Sequence, residues 1–387
     1  MPRPPSTLRH WALLLVGLVC LPRVALDLYL PAWPAMAAQL QVPAGAVQAS
    51  LTLYMAGYAV SMLVTGTLCD RFGRRPTMLA GLGLYLLATL GCALAPNLWS
   101  LCAARFFQAL GGCCGPLVAR VVVRDRFAPY EQVRLLSALS SAMAIAPIVA
   151  PLLGSLLLPS LGWRGLFLGL LLLGALTLWQ VRQRLPETRL DHGPAISGRQ
   201  AWRQMLGSRA FWRYSLVIGF AYCSYFPFIS ESSVLLQRGL GLTPRGYALV
   251  LGLTVLGYVA GSRTFAKLSS GRSIERLLGL ACVLNLAGSS ALLCLQAQGA
   301  GLWLLLVALA PVMFSVGLII PACQWAVLQP FPAIAGTVSG GFFFVQMLLT
   351  CLSSAITGAW SDGSAWPMVG MTFAASVGLV AVERARR

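Results

Sequence analysis

Long apolar stretches separated by short polar breaks run through the whole chain. They fall at about 11–34, 46–68, 77–95, 98–121, 134–158, 163–185, 211–235, 243–266, 274–296, 301–325, 334–358 and 364–382. Each holds roughly the 20 residues that a helix needs to cross a hydrocarbon layer about 30 Å thick. A transmembrane barrel would instead alternate apolar and polar residues in segments of about ten. The pattern predicts an all-α polytopic membrane protein with about twelve transmembrane helices.

The polar breaks carry an order of their own. Alternate connections collect the basic residues: Arg71, Arg74 and Arg75 in one, Arg120, Arg124, Arg126 and Arg134 in another, then a run from Arg182 to Arg213, then Arg263, Lys267, Arg272 and Arg276, and last Arg384, Arg386 and Arg387. The opposite side holds only Arg164, Arg238 and Arg245. Basic residues stay on the cytoplasmic side, so both termini are predicted there, in a cell membrane of the bacterial inner-membrane kind. The longest polar segment, 186–210, contains Pro186, Gly193, Pro194 and Gly198 and leaves six stretches on either side. It predicts two six-helix bundles, 1–185 and 211–387, joined by a cytoplasmic linker.

Composition narrows the function classes. Of 387 residues, 58% are hydrophobic and 10% charged, and the mean hydropathy of +0.78 excludes a soluble globular fold. A net charge of +18 would suggest nucleic acid in a soluble protein. Here the arginines sit at the ends of apolar runs, where topology accounts for them, and no nucleic-acid partner is expected. Eleven cysteines lie scattered without metal-ligand spacing, and His10 and His192 lie in polar flanks, so neither a metal nor a cofactor is expected. An intramembrane enzyme would need a convergent nucleophile, base or metal ligands, and the spans offer no histidine and no paired acids. Arg3 and Arg9 before an apolar run mimic a signal peptide, but the run continues past Asp27 to Pro34 without a small-residue cleavage site. It is read as the first span.

Within the spans, few residues could carry chemistry. Asp27 lies 16 residues into the first stretch, roughly 24 Å along a helix, and an ionised acid there costs about 2.5–3.5 kcal/mol unless it meets a cavity or a partner. Arg23 stands four residues earlier on the same helix face, where a permanent cation favours the ionised carboxylate and opposes proton uptake. Arg105 lies about two turns into the fourth stretch, facing inward or reaching outward along its own stem. Pro147 and Pro151, with Ala146, Ala150 and Gly154, give the fifth stretch a small, kinked face. Tyr222, Tyr225, Phe343 and Gln346, together with Tyr29, are candidates to line an apolar binding cavity. Glu231 follows the aromatic run of the seventh stretch, and its role stays open.

The most specific signal is Gly-Thr-Leu-Cys-Asp-Arg-Phe-Gly-Arg-Arg-Pro at 66–76, a short charged connection between two spans with its turn at Gly73 and Pro76. Position by position it resembles the signature loop of the major facilitator superfamily. Asp-Leu-Tyr-Leu-Pro-Ala-Trp-Pro from Asp27 resembles the pattern of its Bcr/CflA-type drug efflux transporters, Arg-Phe-Phe-Gln-Ala-Leu-Gly-Gly from Arg105 resembles the superfamily's helix-four motif, and the likeness extends to the Pro186-Glu187-Thr188 that follows the sixth span. The likeness implies two six-helix bundles, alternating access, and proton-coupled export of drugs or amphipathic metabolites by a monomer. It implies proton coupling through Asp27 and Arg105. It assigns gating to Gly66, Asp70, Arg71, Gly73, Arg74 and Arg75, with Asp125 pairing with Arg74, and to the Pro147 and Pro151 stripe. Arg23 departs from the family pattern. With Arg105 it supports an alternative, a transporter of the same fold for an anionic metabolite.

Overall fold

Proline decides where the apolar stretches break into separate helices. The computed structural model describes residues 5–188, 198–269, 273–331, 334–361 and 363–385, and within these a few side chains, that of Asp70 among them, lie outside the description. All regular elements among the described residues are helical. Their contacts divide the chain into two units, Met1–Gln41 with Leu53–Ala195, and Val42–Thr52 with Ile196–Arg387.

The first unit is built from α1 (Pro5–Asp27), α2 (Trp33–Gln39), most of α3 (Gln48–Phe72), α4 (Arg74–Leu94), α5 (Leu98–Gly112), α6 (Cys114–Arg126) and α7 (Pro129–Arg184). The second holds α8 (Gly198–Leu206), α9 (Arg209–Cys223), α10 (Phe226–Val234), α11 (Pro244–Leu268), α12 (Ile274–Ala297), α13 (Leu302–Ala308), α14 (Ala310–Ala326), α15 (Ala335–Trp360) and α16 (Trp366–Arg384). Polar starts are capped: the Asn97 side chain accepts from Ser100 N at 2.9 Å before α5, and Thr243 Oγ1 accepts from Gly246 N at 3.1 Å before α11.

Four spans expected to be continuous are not: the tenth divides at Leu309 between α13 and α14, and the other three break ahead of a proline. α1 ends at Asp27, α5 at Gly112 and α9 at Cys223, and in each case a proline stands four residues further on: Pro31, Pro116 and Pro227. A proline has no N–H for the carbonyl four residues back, and its ring crowds that carbonyl, so the helix closes there and restarts at a new angle. The first stretch consequently continues to Gln39, beyond the expected end at Pro34. Among the described residues ten helices are long and apolar enough to cross a membrane. α7 counts once although it carries two apolar stretches joined at Gly162 (φ 64°), and the seventh stretch is divided between α9 and α10. Counting both halves of α7 and the divided segment restores the twelve spans.

Large apolar side chains face outward on both units, with Leu87 73% exposed, Leu172 63%, Leu253 65% and Val307 69%. Water would penalise such a surface, whereas lipid accepts it. Polar groups are turned inward and tied. In the second unit Asn285 Nδ2 donates to Ser224 Oγ (3.0 Å) and Ser315 Oγ (2.8 Å), and Ser376 Oγ donates to Asn285 Oδ1 (2.7 Å). That knot joins α12, α14 and α16 to the break after α9. Arg213 grips Glu383 with two bonds of 2.8 Å and so ties α9 to the end of α16.

Candidate functional site

The break in the first span gathers the charged residues of the first unit. Asp27 is the last residue of α1 and is 3% exposed. Its Oδ2 lies 3.1 Å from Arg23 Nε, one turn back on the same face. Arg105, on α5, is fully buried and acts on Asp27 electrostatically along with Arg23. It does not reach outward along its stem. Its Nη1 donates to Ala25 O at 2.9 Å and also to the Gln108 side chain. Ala25 lies in the last turn of α1, where carbonyls lack helical partners, so the broken helix supplies the acceptor.

Aromatic rings complete the burial of that cation. The Arg105 guanidinium carbon is 4.1 Å from the Tyr54 ring centroid, 4.3 Å from that of Tyr29 and 5.9 Å from that of Phe167. Ring faces attract a cation, and a desolvated pair contributes on the order of 2 kcal/mol. Gln108 Nε2 donates to Thr89 Oγ1 (2.9 Å), and Tyr54 Oη donates to Pro22 O (2.7 Å). The guanidinium is thus held by α1, α3, α5 and α7 at once, with α4 joined through Gln108. The proline stripe meets the same place. Ala146 and Ala150 are buried, and a Cβ on Gly154 would strike the Leu28 carbonyl, so only glycine lets α7 pack backbone to backbone on the end of α1.

The second cluster is the connection between α3 and α4. Arg74 is 6% exposed, and its Nε lies 2.9 Å from Asp125 Oδ2 on α6. Its backbone N–H donates to Glu187 Oε1 (2.9 Å), and that of Arg75 to Glu187 Oε2 (3.2 Å). A carboxylate thereby sits on the positive end of α4. Gly73, the residue before α4, has φ 96° and ψ 166°, a conformation almost restricted to glycine. A Cβ there would lie 2.7 Å from Glu187 Cδ. Arg75 Nη2 donates to Arg182 O at 2.9 Å, and Arg71 lies over the Phe72 ring at 5.1 Å. Asp70 is in the last turn of α3, with its side chain outside the described residues. Among the described residues outside its own helical turn, nothing comes within 4 Å of a Cβ placed on Gly66.

In the second unit the aromatic candidates separate. Tyr222 and Tyr225 flank the α9–α10 break with ring centroids 5.2 Å apart, Tyr225 buried and Tyr222 half-buried. On α15, Phe343 is half-buried against Phe342, while Gln346 is 1% exposed and its Oε1 has no hydrogen-bond partner among the described residues. Sequence reasoning overlooks four participants: Glu187 as an acceptor for α4, Tyr54 as a wall of the Arg105 cage, and Gln108 and Thr89 as its polar floor. The sequence signal for Glu187 and Gln108 is their place within the motifs at 186–188 and 105–112.

Residues 15–354 match a family model described as Major Facilitator Superfamily. The chain is 31% identical over 325 residues to Multidrug resistance protein D of Escherichia coli (strain K12), covering 84% of this chain and 82% of that one. It is 30% identical over 371 residues to a chloramphenicol resistance protein of Pseudomonas aeruginosa, covering 92% and 86%. Among solved structures, a bacterial homologue of the human lysosomal transporter Spinster, in an inward-facing and occupied conformation, superposes with a TM-score of 0.74 at 16% identity. That match covers 99% of this chain and 96% of that one.

Proposed function

The chain belongs to the major facilitator superfamily and is a multi-pass membrane transporter of small molecules, and we propose that it exports drugs or amphipathic metabolites in exchange for protons by alternating access. The observation that carries this reading is Asp27, a nearly buried carboxylate at a proline-made helix break, paired with Arg23 and held beside the caged Arg105. Discontinuous spans place polar backbone and charged side chains where a transporter binds its ions and substrate. The carboxylate takes up and gives up the proton. Arg23 releases it when the proton arrives, because a fixed ion pair would keep the acid ionised. The multidrug and chloramphenicol names of the relatives support a broad, weakly polar substrate class. The transporter acts as a monomer in the bacterial inner membrane, with residues 186–210 and both termini in the cytoplasm, as the arginine distribution supports. Labelling a cysteine placed near residue 195, outside the described residues, from the exterior of intact cells would overturn that orientation.

A second reading rests on one observation: two guanidinium groups, Arg23 and Arg105, stand at the same break and could hold an anionic substrate. Chloramphenicol accumulation in inverted membrane vesicles separates the two, with the pH gradient and the membrane potential collapsed separately. Proton-coupled export predicts that loss of the pH gradient stops accumulation and that Asp27→Asn abolishes it. Full, pH-dependent transport by Asp27→Asn would overturn the first reading. Arg23→Gln changes the pH profile under the first reading. Under the second it raises the apparent constant for an anionic substrate at an unchanged profile.

A further inference from the structure

Glu231 has no part in the reading above, yet it is the most deeply buried acid described in the second unit. It sits on α10 and is 0% exposed. Membrane insertion scales put the penalty for a charged acid at the centre of a span at about 2.5–3.5 kcal/mol, so an acid kept in a span marks an ion or proton path. The two halves of the chain also agree in register. Leu51, Leu53, Gly57 and Tyr58 on α3 recur as Leu251, Leu253, Gly257 and Tyr258 on α11. In that register Pro227 stands opposite Asp27, and Glu231 follows four residues later, about one turn further along the same face.

The carboxylate has a route to open space. Ser361 Oγ donates to Glu231 Oε2 at 2.8 Å. Ser361 also lines a cavity of about 630 Å³ with Gly45, Val234, Arg238, Gly358 and Gly363. At about 30 Å³ per molecule that space holds many waters, and Ser361 and Arg238 give it polar walls. The helices and turns packed on α10 carry few ionisable groups. They are Arg238 on the turn that follows α10, Cys351 on α15, and Tyr222 and Cys223 at the end of α9, with Tyr225 in the break. Arg209, Arg213 and Tyr214 stand at the far end of α9, and Glu383 and Arg384 at the far end of α16. Tyr247 on α11 reaches the neighbouring Ser232 at 3.1 Å. Asp362 lies outside the described residues.

We propose that Glu231 is a second proton-exchanging site of this transporter, carried by the second unit and connected to water in the adjacent cavity through the Ser361 hydroxyl. In the exchange, the protonated carboxyl gives its proton to Ser361 Oγ while Ser361 passes its own hydroxyl proton to a cavity water. Uptake runs the same two transfers in reverse. The proposal rests on the proton-coupled reading and adds to it: each half contributes one exchangeable carboxylate, so an exported molecule is exchanged for more protons than Asp27 alone can carry.

The test is infrared difference spectroscopy of the full-length protein in lipid, stepped between about pH 5 and pH 9, a range that spans the tail of perturbed carboxyl titrations. It needs no substrate. The wild type should show a protonated-carboxyl component that Glu231→Gln removes and Asp27→Asn leaves in place. Ser361→Ala keeps the carboxyl and should move that component to the higher frequency of a carbonyl that has lost a hydrogen bond. Identical difference spectra from wild type and Glu231→Gln would overturn the inference while leaving the assignment of Asp27 standing. An unshifted component in Ser361→Ala would overturn the route to the cavity. In proteoliposomes, Glu231→Gln should lower the number of protons moved per chloramphenicol. An unchanged ratio in that variant, against a coupled wild type, would overturn the role in the cycle without touching the proposed function.

Discussion

Gly73→Ala should be among the most damaging single-methyl additions in the first unit, and its cost should depend on a residue more than a hundred positions away. Two effects add. The backbone at φ 96°, ψ 166° is nearly closed to any residue with a Cβ, which costs on the order of 1–3 kcal/mol. The new methyl would also meet the Glu187 carboxyl group, whose Cδ would be 2.7 Å away, and would push it off the first turn of α4. Displacement loses the bonds from Arg74 N and Arg75 N at 2.9 and 3.2 Å. At this partly exposed end of the helix they contribute roughly 1 kcal/mol each. Gly73→Ala should therefore cost about 3–5 kcal/mol and Glu187→Ala about 2 kcal/mol.

In the Glu187→Ala background only the backbone strain remains, so Gly73→Ala should then cost about 1–3 kcal/mol. The double variant should accordingly be about 2 kcal/mol more stable than the sum of the single losses predicts. The cycle can be closed by titrating the purified protein in mixed micelles with a denaturing detergent and following helix loss. Strict additivity of the two losses would refute the reasoning, since it would mean that the Glu187 carboxylate does not occupy the space beside Gly73.

Asn285→Leu should destabilise the second unit by roughly 2–5 kcal/mol, because three interhelical bonds of about 0.6–1.7 kcal/mol each are lost; an unchanged thermal midpoint would contradict this. Tyr54→Phe removes the bond to Pro22 O but keeps the ring under Arg105, so it should cost about 1 kcal/mol and preserve transport. Tyr54→Leu removes the ring as well and should cost about 2 kcal/mol more, with a loss of transport in vesicles; equal effects of the two variants would count against the cage. Asp70→Asn should abolish chloramphenicol export while leaving the thermal midpoint in place, because a gating acid favours one state of the cycle rather than the fold. Normal export by that variant would refute the gating role.

The spans are legible in the sequence because a lipid-facing segment of about twenty residues needs nearly every position apolar, and a sum over that window survives local irregularity. The breaks are not legible by the same sum. Pro31, Pro116 and Pro227 do little to interrupt an apolar window, and nothing in hydropathy separates a proline that ends a helix from Pro147 or Pro151, which lie inside one. The charged connection at 66–76 is conspicuous because arginines, an acid and a glycine are crowded into a few positions. Its third partner leaves no comparable trace: Glu187 bonds to backbone N–H groups, which every residue but proline has, across a separation of 113 positions. The Arg23 and Asp27 pair is visible as an i,i+4 spacing on one helix. The inward turn of Arg105 is not legible in the sequence, because its cage comes from Tyr29, Tyr54 and Phe167, which no local pattern links. That inward turn of Arg105 has its cause at the first span. Ending α1 at Asp27 leaves carbonyls of the last helical turn without helical donors, and Ala25 O is the one that Arg105 takes. The proline that hydropathy passes over is thus what gives the buried guanidinium its acceptor. A change that restored the helix there, Pro31→Ala, would be expected to compete for the same carbonyls and loosen Arg105 without altering a single charged residue.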